Sequence, residues 1–249
     1  MTLLTVVRDV CATVGVTLPT SVFGSINTDR TMQEMLALAN EVAQRIAYDT
    51  RDWVALRNLF LAEGDGIAYS FPLPNSFKRI TLSGNVRRGD MPTMPLRFEN
   101  DFDRWCEKFL TGDFQQPGEW LISGGATPGA GPELFVRPTV PAGVLVSVPY
   151  IQNLCVILSS GGYGERFVDD NDRYRLDERL LKLGMIWQWK AQKGAPYAED
   201  MGSFSDALAL AMGKDAPAPT LVGRLPMSHG TVQSMSVTAP SSWPLDNWP

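Results

Sequence analysis

Residues 172–213 read DRYRLDERLLKLGMIWQWKAQKGAPYAEDMGSFSDALALAMG and hold the clearest local structure in the chain. Apolar residues recur at helical spacing through the first half of this stretch. Their face comprises Leu180, Leu181, Leu183, Met185, Ile186, Trp187 and Trp189. Gly194 and Pro196 end this helix, since a C′ glycine and a following proline are typical helix stops. Charged residues at its two ends suit the helix dipole: Asp172, Asp177 and Glu178 at the start, Lys190 and Lys193 at the end.

A second helix follows, with Pro196 in its first turn and Gly213 at its end. Its apolar face comprises Tyr197, Met201, Phe204, Leu208 and Ala211. The two helices form a hairpin that needs a further packing partner. Trp187 and Trp189 project in different directions, because they are two residues apart on one helix. We expect one of them in the core and the other at a subunit contact, with burial of both inside the subunit as the alternative.

Further helices are predicted outside this hairpin. Residues 2–14 carry valine and leucine at spacings of three and four, and Gly15 ends that helix. Thr31 and Glu34 form a capping-box pattern before a long amphipathic helix. Residues 100–110 predict a short amphipathic helix with Asn100 as its cap.

Between residues 56 and 165 the hydrophobic period changes, and short strands alternate with turns rich in glycine and proline. Residues 58–62 and 67–71, joined by a Gly-Asp-Gly turn, predict a β-hairpin. Further strands are predicted at 77–82, 85–88, 119–123, 133–137, 144–150 and 154–158. The strands predict a small antiparallel sheet system or sandwich. The glycine-rich segment 159–164 predicts a flexible hinge into the helical hairpin.

The predicted fold class is α+β, with a helical bundle core formed by the long helix and the C-terminal helical hairpin. Residues 1–55 and 166–215 form this core, and residues 56–165 form an inserted antiparallel β-rich domain. Residues 216–249, rich in proline and serine, predict an extended C-terminal tail. That tail carries Trp243 and Trp248, which are costly to expose to water and are therefore candidate partner contacts. A mobile tail with incidental tryptophans is the alternative.

The composition argues against several classes of protein. A chain of 249 residues, 44% of them hydrophobic, can bury a sizeable core. The net charge of -5, without basic runs, argues against a general nucleic-acid binder, although an acidic surface suits a channel through which DNA slides. Cys11, Cys106 and Cys155 are isolated, which predicts synthesis in a reducing cytosol. Arg8 and Asp9 interrupt the apolar N-terminus, and we expect neither a signal peptide nor a transmembrane helix.

Motifs for catalysis or cofactor binding are weak. The glycine-rich segments 124–131 and 161–164 lack the lysine and hydroxyl residue of a phosphate-binding loop, which favours turns. The acidic run 169–172 fails the calcium-loop pattern and is interpreted as a solvated helix start. His229, the only histidine, lies in the predicted tail, a poor place for a nucleophilic triad. We therefore predict no enzymatic activity, no cofactor and no metal site.

The motifs of the chain, taken in order, resemble those of a known family. The segments are LALANEVAQRIAYDTRDWVALR (36–57), FPLPNSFKRI (71–80), QPGEWLISGG (116–125), ELFVRPTVPAG (133–143) and LDERLLKLGMIWQWKAQKGAPYAEDMGSFSDALALA (176–211). Together they resemble the head-to-tail adaptor proteins of tailed bacteriophages, which include tail tubular protein A and related head-completion proteins. The resemblance covers about residues 30–212.

This resemblance implies a structural virion protein located at the neck, between capsid and tail, and assembled in the host cytoplasm. Its copies would form a homo-oligomeric ring of twelve that binds the portal protein on one side and the tail or nozzle protein on the other. DNA would only pass through the channel, without sequence-specific binding, and no membrane would be involved. The C-terminal tail would reach into the portal, where Trp243 and Trp248 would contact the portal protein.

A different class of function is the alternative. In it, the β-rich region is a binding module that recognises a host-surface glycan or protein, with exposed aromatic residues such as Trp105 or Trp120 as the platform. Glycan binding by the isolated residues 56–165 would favour that alternative.

Overall fold

A computed structural model describes residues 1–25, 29–112, 116–124 and 131–215 of the chain. The helices in these ranges are α1 (Leu3–Val14), α2 (Arg30–Tyr48), α3 (Phe102–Thr111), α4 (Glu178–Gln192) and α5 (Ala198–Asp215). The strands are β1 (Arg57–Glu63), β2 (Ser70–Pro72), β3 (Phe77–Ile80), β4 (Arg87–Arg88), β5 (Arg97–Phe98), β6 (Glu119–Gly124), β7 (Pro132–Arg137), β8 (Leu145–Gln152), β9 (Val156–Ile157), β10 (Tyr163–Gly164) and β11 (Arg173–Tyr174). A mixed α and β fold with antiparallel sheets is therefore confirmed. The predicted tail at 216–249 and most of the glycine-rich segment 124–131 lie outside the described residues.

The helix ends follow local capping chemistry, in two cases one or two residues away from the predicted cap. Gly15 ends α1 in the left-handed conformation with φ 75°, as predicted. The Asp29 carboxylate, not Thr31, caps α2 by accepting from the Thr31 amide at 2.8 Å. Similarly, Asp101 rather than Asn100 caps α3. A carboxylate at the cap position accepts the first free amides of the helix and also meets the positive end of its dipole.

Helix α4 lies against α1, α2 and α5. Gly184 permits this close packing, because a Cβ there would lie 2.5 Å from Val42 Cγ1 and 3.3 Å from Phe204 Cε2. Ion pairs join α4 and its cap residue Lys193 to all three neighbours: Lys182 to Asp9 at 3.0 Å, Lys190 to Asp200 at 2.5 Å and Lys193 to Glu34 at 2.6 Å. Helix α5 continues past the predicted stop at Gly213 to Asp215.

The strands form three sheets. In the first sheet, β8 pairs with β1, β3 and β4, all antiparallel. In the second sheet, the order is β2-β7-β6-β5, and β5 pairs parallel to β6. In the third sheet, the short strand β9 pairs with β10 and β11.

The predicted local hairpin of 58–62 with 67–71 is wrong. Strand β1 pairs along its whole length with the distant strand β8, and β2 pairs with β7 in the other sheet. The amides of the turn bind outside it, because Gly64 N donates to Val144 O at 2.9 Å and Gly66 N to Val140 O at 3.0 Å. Placing β1 and β2 in different sheets lets the alternate apolar residues of both strands face one shared core.

Buried apolar residues form two clusters. The helical cluster draws on α1, α2 and α4 and also on Ile151, Cys155, Val156, Phe167 and Tyr174. The sandwich cluster lies between the first two sheets and joins residues of both. Its buried members are Ala62, Phe71, Leu73, Val86, Leu96, Trp120, Leu134, Val136, Val140, Val146 and Val148. Because part of the predicted β-rich insertion packs into the helical cluster, the division into 1–55 with 166–215 and 56–165 stays a prediction.

The acidic run 169–172 is not a solvated helix start. Asp172 is 0% exposed, and its carboxylate accepts hydrogen bonds from the amides of Ser159, Val168 and Asp169 at 2.7–2.9 Å. The Asp170 carboxylate accepts from the amides of Val22 and Phe23 and from the Ser21 hydroxyl. The main-chain carbonyls of Asp172 and Asp170 accept hydrogen bonds from the amides of Leu3 and Leu4, respectively, at the start of α1. Through their carboxylates and carbonyls, Asp170 and Asp172 tie four chain segments together, and Asp177 caps α4 instead.

The segment 159–164 is also held in place, contrary to the predicted flexible hinge. Ser159 N donates to Asp172 Oδ1 at 2.8 Å, and Leu158 N donates to Gly162 O at 3.1 Å. Tyr163 and Gly164 then pair with β9. The glycines allow the tight turn, and the hydrogen bonds fix it.

Candidate subunit-contact surfaces

Helix α5 contains 18 residues, and none of them is buried. One side of it contacts the helical cluster through Phe204, Ala207, Leu208, Ala211 and Met212. The opposite side carries Gly202, Ser205, Ala209 and Gly213 at helical spacing, together with Asp206, which is exposed, and Leu210, which is 56% exposed. A Cβ added at Gly202 or Gly213 would meet no atom within 4 Å. The outer side of α5 is therefore open, and its glycines leave space for a second helix beside the Asp206 and Leu210 side chains.

The predicted contact residues Trp187 and Trp189 lie on different sides of α4. Trp189 is 6% exposed in the helical cluster, and Lys193 Nζ lies 4.6 Å from the centroid of its ring. The Trp187 ring is partly buried, with its centroid 6.5 Å from that of Tyr197 and 6.2 Å from that of Phe204. Its indole Nε1 is buried and has no hydrogen-bond partner among the described residues. Trp187 thus joins α4 to α5 within the subunit, while Trp243 and Trp248 lie outside the described residues.

The outer face of the second sheet carries α3, which a cluster of charged residues holds in place. Lys108 Nζ on α3 donates to Glu99 Oε2 at 2.9 Å and to Glu119 Oε1 at 2.5 Å. The Arg137 guanidinium lies flat against the Trp105 ring, 3.3 Å from its centroid, and donates to the Trp105 carbonyl. Glu119 and Arg137 are each 3% exposed, so α3 is attached to β6 and β7 through charges withdrawn from water.

Electrostatic coupling in this cluster shifts the pKa of several groups. The hydrogen bonds to Glu119 and Glu99 raise the pKa of the Lys108 ammonium. The hydrogen bond from Lys108 lowers the pKa of Glu99. Burial lowers the pKa of the Arg137 guanidinium. The Glu99 carboxylate and the Lys108 ammonium therefore stay charged over a wider pH range than free side chains do.

Beside this cluster, α3 and the second sheet enclose a mainly apolar cavity of about 400 Å³, which we call the α3 cavity. Its lining residues are Tyr69, Phe102, Trp105, Cys106, Leu110, Leu121, Ser123, Gly124 and Phe135. Phe102 is 57% exposed and Leu110 86% exposed at its edge. Cys106 is exposed, whereas Cys11 and Cys155 are buried. Apolar side chains therefore remain accessible on this face.

The outer face of the first sheet carries a different surface. Leu59 and Leu61 of β1 point away from the sandwich cluster and are 53% and 52% exposed. Between β1 and the 81–87 segment lies a polar groove of about 390 Å³, the β1 groove, which Arg57 and Arg87 line. Their guanidinium groups donate to the carbonyls of Asp52 and Pro92 at 2.9 and 2.8 Å. Within the described residues, neither group forms an ion pair.

Sequence reasoning did not identify Arg57, Arg87, Leu59 or Leu61, although the charge distribution contained a signal. Residues 57–98 hold six Lys or Arg against three Asp or Glu, whereas residues 99–165 hold three against eight. A net charge averaged over the whole chain hides this separation. Counting charges separately for each stretch would have revealed it.

The predicted aromatic platform for glycans is wrong for the two residues named. Trp105 is 6% exposed beneath Arg137, and Trp120 is 8% exposed in the sandwich cluster. A sugar-binding platform needs an accessible ring face, and neither indole offers one.

Groups that could perform chemistry are sparse among residues 1–25, 29–112, 116–124 and 131–215. There, His, Cys, Asp and Glu side chains form no group of three or more that could hold a metal ion. Burial raises the pKa of the Cys11 and Cys155 thiols, which disfavours the reactive thiolate. None of the described helices is both long and apolar enough to span a bilayer.

No protein-family model matches the chain, and no curated protein matches it. A function can therefore be inferred only from these surfaces and from the resemblance of the sequence motifs.

Proposed function

We propose that the chain is a head-to-tail adaptor of a tailed bacteriophage, whose copies form a ring between the capsid portal and the tail. The observation that carries this proposal is α5, an 18-residue helix without a buried residue, whose outer side is open at Gly202 and Gly213. A helix so incompletely covered gains little stability inside its own subunit. Side-by-side association of copies would cover it.

In this proposal α1, α2, α4 and α5 are the helical core of each ring subunit. Their packing around Gly184 and the ion pairs of Lys182 and Lys193 make them a rigid unit that can form the same contact in every copy. The two sheets and α3 project from that block and supply further contact surface. Residues 216–249, with Trp243 and Trp248, dock on the portal.

The charge balance supports a passage for DNA rather than a binding site. A chain with a net charge of -5 repels the phosphate backbone overall. A ring of such subunits allows DNA to pass without holding it. The protein is then a structural component of the virion neck.

Native mass spectrometry of the purified chain with the portal protein of the same phage tests this proposal. We expect a complex with a ring of twelve adaptor copies on the portal, and electron micrographs of the mixture should show the ring. A chain that stays monomeric and does not bind the portal under assembly conditions would contradict the proposal.

A further inference from the structure

We propose that the β-sandwiches of neighbouring copies contact each other head to tail. The outer face of the first sheet of one copy, with Arg57, Arg87, Leu59 and Leu61, lies against the α3 surface of the next copy. We define the α3 surface as the α3 cavity with the exposed α3 residues Phe102, Asp103, Glu107 and Leu110. This inference rests on the proposed ring and names the surfaces that its β-sandwiches use. The occupant of each surface is a second copy of this chain.

The two surfaces lie on opposite sides of the sandwich. Residues 62, 146 and 148 of the first sheet and residues 120, 134 and 136 of the second sheet meet in the sandwich cluster. Alternate residues of these strands point the other way, because successive side chains in a strand face opposite sides. Leu59 and Leu61 therefore face outward from one sheet, and Leu121 and Phe135, which line the α3 cavity, face outward from the other.

Charge complementarity selects a second copy as the partner. Arg57 and Arg87 line the β1 groove and pair with no carboxylate of the described residues. On the other side, Asp103 and Glu107 are exposed on α3, one helical turn apart. The unpaired positive charges of one copy would meet the exposed negative charges of the next, which gives specificity and correct orientation. Glu63, at the far end of β1, marks the edge of the positive area.

The apolar groups on the two surfaces also match. Leu59 and Leu61 are each about half exposed, and Phe102 and Leu110 protrude on the other side at 57% and 86% exposure. The α3 cavity of about 400 Å³ can accept leucine side chains between the aromatic residues that line it. Burial of these residues would give the interface an apolar core surrounded by a charged rim, which is the usual arrangement in protein interfaces.

Contact between two different surfaces on opposite sides of a subunit is heterologous. Such contacts repeat from copy to copy and close into a ring when the rotation between copies divides a full turn. A face that pairs with itself would give a dimer instead. The arrangement of charges on the sandwich thus favours the ring geometry of the proposed function.

Two charge-reversal variants test the contact in the full-length chain. The first, Arg57→Glu with Arg87→Glu, makes both surfaces negative, and the second, Asp103→Arg with Glu107→Arg, makes both positive. Each variant alone should need at least about a tenfold higher concentration than the wild type to assemble on the portal, because like charges now face each other. Arg87→Glu and Glu107→Arg as single changes provide a milder pair with the same logic, in case a double variant unfolds.

An equimolar mixture of the two variants is the decisive measurement. Copies of the two kinds can alternate with opposite charges at every contact, and an even-numbered ring accommodates the alternation. We expect the mixture to regain the sedimentation coefficient of the wild-type assembly. A control with the same net charge as the first variant, Arg166→Glu with Arg173→Glu, changes exposed residues outside both surfaces and should assemble normally.

The outcomes separate this contact from the ring itself. If the wild type and both reversed variants assemble equally well, or if the mixture does not recover, the sandwich contact is wrong and the ring remains. If the control loses assembly as the first variant does, a general charge effect explains the loss and the contact is also wrong. A wild type that never assembles contradicts the proposed function and this contact together.

Discussion

Lys108 is the residue on which the attachment of α3 depends. Its ammonium is the partner of two carboxylates, Glu99 and Glu119, which are 8% and 3% exposed. Charged groups this far from water are stable only when paired. Removal of the ammonium would leave two negative charges close together in a poorly solvated site.

We predict that Lys108→Met lowers the free energy of unfolding by about 3 kcal/mol at pH 7, the scale for breaking a buried ion pair. Lys214→Met, at an exposed position of α5, is the matched control and should change it by less than about 0.5 kcal/mol. Urea unfolding of both variants measures the difference. Equal stability of the two variants would contradict the role assigned to Lys108.

The same cluster predicts how stability depends on pH. The pKa of Glu99 is lower in the folded chain than in the unfolded chain, so its contribution is present above about pH 4.3 and is lost as the pH falls through the folded value. The pKa of Lys108 is raised on folding, so its contribution is present below about pH 10.4 and is lost as the pH rises through the folded value. The deficit of Lys108→Met should therefore be largest between these limits and shrink in acid.

Single residues also show where local patterns mislead. A run of aspartates before a helix fits a solvated start, and nothing in its spacing distinguishes Asp177, which caps α4, from Asp172. The difference arises from segments distant in sequence, because amides of residues 159 and 168 converge on the Asp172 carboxylate. Such convergence is visible only in the folded chain. The caps of α2 and α3, by contrast, were predicted to within two residues, since capping is local chemistry.

At the scale of elements, the outer side of α5 offers a direct test of side-by-side packing. Gly202→Ala should raise the free energy of unfolding of the subunit by about 0.5–1 kcal/mol, because alanine restricts the unfolded chain and favours the helix. It should also preserve assembly, since the added methyl group is small. Gly202→Gln also introduces a residue that favours the helix, but it places a long side chain on the outer side. We predict that it blocks assembly on the portal.

Sedimentation velocity with the portal distinguishes these two substitutions, and thermal unfolding of each subunit alone shows that both fold. A Cβ at position 202 meets no atom within 4 Å, so the first side-chain atom of either substitution is accommodated within the chain. Normal assembly of Gly202→Gln would show that the outer side of α5 is not a contact.

The elements differ in how far the sequence predicts them. The helices and most strands follow from periods of 3.6 and 2, which local residues determine. The pairing of β1 does not, because β8 lies more than eighty residues further along the chain and a Gly-Asp-Gly turn favours a nearer partner. Seven paired residues and a shared core outweigh that local preference. The surfaces on the two outer faces depend on this pairing and were therefore out of reach of sequence patterns.

At the scale of the whole molecule, both apolar clusters are built from residues that precede the predicted tail. The described members of both clusters lie between Leu3 and Met212, ahead of the predicted tail. We predict that a chain ending at Asp215 folds and unfolds with a midpoint within about 3 °C of the full chain, since 1 kcal/mol shifts a chain of this size by about 2–4 °C. Binding to the portal should be lost, which pull-down on immobilised portal would measure.

Substitution in the full-length chain separates loss of contact from loss of length. Trp243→Ala with Trp248→Ala removes the two large aromatic groups of residues 216–249, and it should weaken portal binding nearly as much as the truncation does, because aromatic side chains carry most of the energy of such contacts. Ser241→Ala with Ser242→Ala alters neighbouring small residues and should bind normally. If the shortened chain instead fails to fold, residues 216–249 belong to the core, and the assignment of this segment to the portal is wrong.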